Sequence, residues 1–319
     1  MLSKVNTASL AGIDGHFVKV ETDIGNGLPA YNVIGLGDTT IKESGDRIRS
    51  AIINSGYKYP RNRVTVNLSP ADTRKAGTHF DLPIAVGVLL AEAGRTGEHL
   101  AEYAFFGELS LDGRLSPVRG ALPLALCAIE NGIRKIVVPP GNAEEVSLAR
   151  GAVIYTADNL RQTAEFVKGI SPLRIYNSRE NHGRTPAMHG EDYADVKGQE
   201  SAKRTMMICA AGAHGVLMIG PPGAGKTMLA RRLPTILPTM TYEEKLQVTK
   251  IYSVSGMLEN SGRMIEERPF RAPHHTITSA AMFGGGARPK PGEFSLAHYG
   301  VLFTKRIIND DISIATRCL

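Results

Sequence analysis

Gly220-Pro221-Pro222-Gly223-Ala224-Gly225-Lys226-Thr227 fits the phosphate-loop pattern G-x-x-x-x-G-K-[ST] at every fixed position. Its flanks fit as well. Val216-Leu217-Met218-Ile219 is a short apolar run of buried-strand type, and Met228-Leu229-Ala230-Arg231-Arg232-Leu233 has the pattern of a helix start. Glycines let the backbone curl so that N–H groups converge on phosphate oxygens, and a helix N-terminus adds positive potential at the same place. In such a loop Lys226 reaches the β- and γ-phosphates of a bound nucleotide, and the Thr227 hydroxyl ligates Mg²⁺. The expected ligands are therefore ATP and Mg²⁺, held by Gly220 through Thr227, with Thr227 as the metal-ligating side chain.

Outward from this loop, 319 residues are enough for about two domains. Hydrophobic residues make up 42% and charged residues 21%, ordinary globular usage, and the absence of Trp predicts an aliphatic core. A net charge of +6 permits a polyanionic partner without requiring one. Cys127, Cys209 and Cys318 have no metal-type spacing and fit incidental thiols in a reducing compartment. The N-terminus lacks an apolar signal core, and no run reaches the roughly 18 apolar residues of a membrane span, so a soluble, cytoplasmic protein without a membrane partner is expected.

Along the chain, Phe17–Val20 and Tyr31–Ile34 flank Ile24-Gly25-Asn26-Gly27 and predict a hairpin. Asp38 is placed to cap a helix to about Asn54 with Ile41, Ile48, Ala51 and Ile52 on one face, ended by Gly56. A strand at 64–68, an apolar helix at 82–93 and a hairpin around Asp112-Gly113 follow. Then come a helix near 121–131, a strand at 135–138, a helix from Asn142, a strand at 153–155 and a helix at 159–167. This mixture predicts an α+β domain over residues 1–168. Residues 169–190 are polar and lose periodicity, as a linker does. Helices at 199–213 and 242–255 bracket the phosphate loop. Residues 268–298 are dense in Gly, Pro and His, as in an elaborate loop region, and Tyr299–Phe303 starts another buried strand.

Several stretches together resemble one family. Asp192-Tyr193-Ala194-Asp195-Val196-Lys197-Gly198-Gln199 before the phosphate loop is similar to the entry of an AAA+ ATPase module. Arg268-Pro269-Phe270-Arg271-Ala272-Pro273-His274-His275-Thr276 and Lys290-Pro291-Gly292-Glu293-Phe294-Ser295-Leu296-Ala297-His298 resemble signatures of the magnesium-chelatase-like AAA+ family, ComM/YifB type. So do residues 50–56, Asn67-Leu68-Ser69-Pro70-Ala71-Asp72 and Phe80-Asp81-Leu82-Pro83-Ile84-Ala85. The resemblance covers residues 1–303. It implies an N-terminal domain of the ribosomal-S5-domain-2 (Lon-like) type followed by a partial α/β P-loop AAA+ domain over 191–319. It further implies an ATP-driven, hexameric DNA translocase promoting branch migration in natural transformation. Chelatase subunits that insert Mg²⁺ into a porphyrin are relatives.

The family continues after Gly300-Val301-Leu302-Phe303 with Leu-Asp-Glu, the Walker B acids, where this sequence has Thr304-Lys305-Arg306. Without those acids an ATPase binds nucleotide but scarcely hydrolyses it, which leaves enzymatic status open. Asp310-Asp311 is a weaker, shifted substitute, because Lys305 and Arg306 interrupt the apolar run. The simplest expectation is an N-terminal fragment truncated before Walker B, from a frameshifted gene. The lost lid weighs against a hexamer and leaves a nucleotide-gated DNA-binding module as the alternative.

Other motifs are weighed in the same way. His274-His275 and His298 fit hydrogen bonding or subunit contact better than a metal site, because adjacent histidines do not easily face one ion. Arg231-Arg232 suits phosphate contact or a solvated helix face. Gly284-Gly285-Gly286-Ala287-Arg288-Pro289-Lys290 suits a pore or DNA-contact loop and a plain surface loop equally. Asp72 and Asp81 fit a turn and a helix cap. A Lon-like Ser–Lys protease is disfavoured: Lys75-Ala76-Gly77-Thr78-His79-Phe80-Asp81 holds no Ser, and Gly120-Ala121-Leu122-Pro123 no Lys, where the dyad would lie.

Overall fold

A computed structural model describes residues 1–177, 191–258, 263–286, 289–305 and 312–317. The chain divides into two compact units, Met1–His182 with Gly256–Arg263, and Gly183–Ser255 with Met264–Leu319.

The first unit is built on an eight-stranded mixed sheet. Its strands are β1 (Leu2–Ala11), β2 (Asp14–Gly25), β3 (Ala30–Ile34), β4 (Arg63–Ser69), β5 (Tyr103–Phe105), β8 (Lys135–Val138), β9 (Val153–Thr156) and β10 (Arg174–Ile175). They lie in the order β10-β9-β8-β5-β1-β2-β4-β3. A separate small hairpin joins β6 (Glu108–Leu109) to β7 (Leu115–Ser116) across Asp112-Gly113, as the turn chemistry predicts. The helices are α1 (Thr39–Asn54), α2 (Asp81–Glu92), α3 (Ala121–Glu130), α4 (Pro140–Val146) and α5 (Leu160–Val167). Asp38 caps α1 by accepting from the Ile41 N–H at 3.0 Å, and Ile41, Ile48, Ala51 and Ile52 are all buried.

The expected hairpin over 15–35 is not formed. β2 pairs antiparallel with β1 and with β4, and β3 pairs parallel with β4, so β4 lies between the two predicted partners. The true partner, β1, is masked in the sequence because its buried positions include Ser3, Thr7 and Ser9. Two of these hydroxyls are satisfied by carbonyls, Ser3 to Gly87 at 2.8 Å and Thr7 to Phe105 at 2.9 Å, so polar residues tolerate a core position. Helix α2 is buried along nearly its whole length and packs on β1 and β2. Its Leu82, Ile84, Val86, Val88 and Leu90 each contribute roughly 1.5–3 kcal/mol of burial energy. Leu173 is buried and β10 pairs with β9, so residues just after Lys168 belong to this unit. Residues 178–190, the larger part of the predicted linker, lie outside the described residues.

His79 sits in this core with its Nε2–H donating to the Ala8 carbonyl at 2.9 Å. Burial pushes its imidazole down to about 4. The unfolded histidine takes a proton near pH 6.5, which folded His79 refuses, so this contribution to stability is complete above about pH 6.5 and declines as pH falls toward 4. The expected loss between pH 7.5 and pH 5 is about 2 kcal/mol. Urea unfolding at both pH values measures it, and His79→Gln, which keeps an N–H donor but does not titrate, should shrink the difference. An unchanged difference would assign the acid sensitivity to other groups.

The second unit contains α6 (Glu200–Gly212), β11 (Val216–Ile219), α7 (Lys226–Arg232), α8 (Tyr242–Ser255), β12 (Phe270–Arg271), α9 (Ser279–Phe283), α10 (Glu293–Leu296), β13 (Val301–Lys305) and β14 (Ile312–Arg317). Its sheet has the order β11-β14-β13-β12, with β12 parallel to β13 and β14 antiparallel to both neighbours. Tyr193, Val196, Met206, Ala210, Val216, Leu229, Leu233 and Phe303 are among the residues that form its core. The first unit's mixed sheet with helices and this α/β arrangement agree with the expected class at that level. β14 has no counterpart in the sequence prediction.

Candidate phosphate-binding loop

Strand β11 delivers the chain to Gly220, and α7 begins at Lys226. Between them Gly223 and Gly225 take φ of +84° and +83°, left-handed values that a side chain would strain. The loop closes on itself, with the Ala224 N–H donating to the Pro221 carbonyl at 3.1 Å. Pro221 through Ala224 are exposed, while Lys226 and Thr227 are half-buried. The Lys226 ammonium donates to the Gly220 carbonyl and, at 3.1 Å, to the Pro221 carbonyl. The cation is thus folded over the mouth of the loop, on weak neutral acceptors. A phosphate oxygen offers it a stronger, charge-assisted partner. Glycine-curled backbone, helix start and an ammonium held only by neutral carbonyls together fit a nucleotide's phosphates, and the Thr227 hydroxyl at the second helical position would fit an accompanying Mg²⁺.

The neighbouring Asp192–Gln199 stretch is tied to this loop. Asp192 and Asp195 form a capping box around a single helical turn: the Asp192 carboxylate accepts from the Ala194 N–H at 2.7 Å, and the Asp195 carboxylate accepts from the Asp192 N–H at 2.9 Å. Arg232 donates to the Asp192 carbonyl at 3.0 Å and pairs with Glu191 at 3.4 Å, which makes it a tie between α7 and that turn. Arg231 is exposed. Gln199, held at φ 54°, donates through Nε2 to the Ala224 carbonyl at 3.2 Å. Its role as a loop-positioning residue was not legible in the sequence. The only signal was its place at the end of the Asp192–Gln199 motif.

The two later signature stretches meet in space. Arg268 is buried and donates to the carbonyls of Pro238 and Tyr299, both at 2.6 Å, and to Glu244 at 3.1 Å. Arg271 grips Glu293 through two 2.6 Å bonds. These signature arginines hold the unit together. His274 and His275 are exposed with ring centroids 4.0 Å apart, and among the described residues no group of three or more His, Cys, Asp or Glu side chains is placed to hold a metal ion. Gly285 and Lys290 bridge across the Gly284–Lys290 loop, whose Ala287 and Arg288 lie outside the described residues.

β13 carries the chain past Phe303 to Thr304 and Lys305, the positions where the resemblance expects Walker B. It is separated from β11 by β14 alone: Met218 and Lys305 both register with Ser313. Asp310 and Asp311 lie outside the described residues.

In the first unit the polar groups of Lys75–Asp81 have structural partners. Lys75 is buried and donates to the Pro70 carbonyl, and burial pushes its amine down. Thr78 donates to Glu108 at 2.5 Å. Asp81 is not the helix cap the sequence suggested. It accepts two bonds from Arg47, at 3.0 and 3.1 Å, and one from the Leu109 N–H at 3.3 Å. Asp72 stands in a turn, as expected. Cys127 is buried with its thiol pushed up to about 11, the state of an inert core residue. No helix among the described residues is long and apolar enough to cross a membrane.

A strand, a glycine loop with Lys-Thr at its end, and a helix, set in an α/β sheet, define a P-loop unit. Known proteins narrow the class. The family described as magnesium chelatase, subunit ChlI, matches residues 192–311, and that described as subunit ChlI of Mg-chelatase matches residues 20–142. YifB of Escherichia coli is 46% identical over 302 residues, covering 95% of this chain and 59% of the relative. The competence protein ComM of Haemophilus influenzae is 41% identical over 306 residues, covering 95% and 59%. A protein of Mycobacterium tuberculosis is 42% identical over 303 residues, covering 95% and 60%. The chain belongs to the magnesium-chelatase-like family of the ComM/YifB type. It spans about three-fifths of the length of the curated relatives it matches.

Proposed function

We propose that this chain binds ATP with Mg²⁺ through Gly220–Thr227, that it works on DNA in the cytoplasm, and that it hydrolyses the nucleotide scarcely, if at all. The observation that carries the nucleotide reading is the Lys226 ammonium held over the loop carbonyls at the start of α7. Loop N–H groups and Lys226 would hold the phosphates, and Thr227 the metal. When bound, the metal neutralises phosphate charge and orients the β- and γ-oxygens. The DNA reading rests on the competence name of the Haemophilus relative and on the resemblance to DNA translocases. The low-turnover reading rests on Thr304 and Lys305 at the end of β13, where neither residue supplies a carboxylate. On the same grounds the first unit is an S5-domain-2-like, non-catalytic domain for binding or assembly, because its Lys75 and Thr78 are engaged by Pro70 and Glu108.

A second reading, a nucleotide-gated DNA-binding module without motor activity, is favoured by the same Thr304-Lys305 positions. Filter retention of duplex and single-stranded DNA, with no nucleotide, with ADP and with ATP·Mg²⁺, tests both. Retention that depends on ATP without phosphate release is the expected result. DNA retention indifferent to every nucleotide would overturn the coupling between loop and DNA.

A further inference from the structure

Two aromatic rings stand open beside the glycine-rich loop of the second unit. Phe283 ends α9 and is 68% exposed, and Phe294, in α10, is 49% exposed. Their ring centroids are 6.1 Å apart with planes inclined by 36°. Exposed phenylalanines are common singly. Two that touch each other and remain open to solvent mark a contact surface.

The mount beneath them is firm. Thr278 caps α9, accepting from the Ala281 N–H at 3.2 Å. On the inner side Met282 packs against Ala297 and Leu302, so alternate faces of the two short helices go to the core and to the rings. The Tyr252 hydroxyl donates to the Leu296 carbonyl at 3.1 Å. Between the rings the chain doubles back, with the Gly285–Lys290 bridge and a crossing so close that a Cβ at Gly292 would overlap the Gly284 nitrogen. These contacts hold the two rings in place before any ligand arrives, which limits the entropy lost on binding.

Its charge selects the ligand. From Ala272 to His298 the sequence holds one acid, Glu293, and both its oxygens are taken by Arg271. Lys290, His274 and His275 are exposed in the same segment. An apolar peptide or a second copy of this chain would need no such segment, with exposed cationic and imidazole side chains and a single, paired acid. Flat π-surfaces on a chain of negative charges do need it: aromatic platforms flanked by cations are the general solution for unpaired nucleobases.

We propose that Phe283 and Phe294 form a stacking platform for unpaired bases of single-stranded DNA, with Lys290 contacting the adjoining phosphate. This rests on the reading that the chain acts on DNA, and it names the feature of DNA engaged. Duplex bases are stacked on each other and present no free face, so the platform is selective for opened strands.

Fluorescence anisotropy of the full 319-residue chain with an oligo-dT strand and with an abasic strand of equal length separates base from backbone binding. Wild type should prefer oligo-dT. Phe283→Ala and Phe294→Ala should each weaken oligo-dT binding by about fivefold or more and leave abasic binding unchanged, while Phe→Tyr at either position retains it. Unchanged abasic binding also reports that the variants are folded. Lys290→Ala should weaken both strands alike and lower the salt dependence of log K by about 0.7. Alanine variants that bind oligo-dT like wild type would overturn the platform and leave the DNA reading standing. A wild type that binds neither single strands nor duplex would overturn both. Tighter binding of oligo-rU than of oligo-dT would overturn the assignment to DNA.

Discussion

Lys226→Ala is expected to lower ATP affinity by about 10- to 150-fold, measured by titration calorimetry in Mg²⁺. The lysine ammonium lies over the loop, where its partners are the Gly220 and Pro221 carbonyls. Exchanging those neutral acceptors for phosphate oxygens converts ordinary hydrogen bonds into charge-assisted ones, each contributing about 1.5–3 kcal/mol, with tenfold in affinity per 1.4 kcal/mol. The substitution should not unfold the unit, because the side chain is half-buried and its bonds are to loop carbonyls that solvent can satisfy. Lys226→Arg should recover little, since the planar fork does not fit a site shaped for a compact ammonium. Equal affinity in wild type and Lys226→Ala would remove the loop from nucleotide binding altogether.

Steady-state phosphate release by the 319-residue chain should stay at background, with or without DNA. On the proposed reading, loop, lysine and threonine would supply ground-state contacts, which hold a nucleotide without lowering its barrier. Turnover also needs groups acting where charge develops, and removing one such preorganised group costs about 10²–10³ in kcat. At the end of β13, Thr304 and Lys305 stand in place of the expected Leu-Asp, and Arg306 follows in sequence where Glu is expected. In sequence, two cationic residues thus stand where the resemblance expects two carboxylates. DNA-stimulated hydrolysis abolished by Lys226→Ala would sink this argument. Partial recovery in Lys305→Asp with Arg306→Glu would locate the deficit at these positions.

The elements that sequence reading found were those written in neighbouring residues. Asp38 announces α1, Asp112-Gly113 announces the β6–β7 turn, and the uninterrupted apolar run 82–91 announces α2. The misses are pairings decided at a distance. Gly25-Asn26-Gly27 is a sound local turn signal, yet β3 pairs parallel with β4, which arrives thirty residues later. β1 was hidden because Ser3 and Thr7 find carbonyl partners in α2 and β5, which no local pattern reveals. The same division holds at the site. Gly220–Thr227 was legible because the loop is contiguous. Gln199 was not, because its bond to Ala224 depends on how two segments pack. Nor were the structural partners of Arg268 and Arg271, which come from α8, Pro238, Tyr299 and α10.

The antiparallel β14 also sets a timetable for synthesis. Among the described strands, β11 hydrogen-bonds only to β14, which follows it by roughly ninety residues. At about 5–20 residues per second on the ribosome, the strand that carries the phosphate loop waits roughly 5–20 s for its neighbour. During that interval it offers unpaired backbone together with Leu217 and Ile219, both still exposed in the finished fold. The Gly220–Thr227 loop is therefore anchored late, after the first unit has had all its strands available, and the nascent second unit passes through a period in which a holdase chaperone has an extended apolar segment to grip.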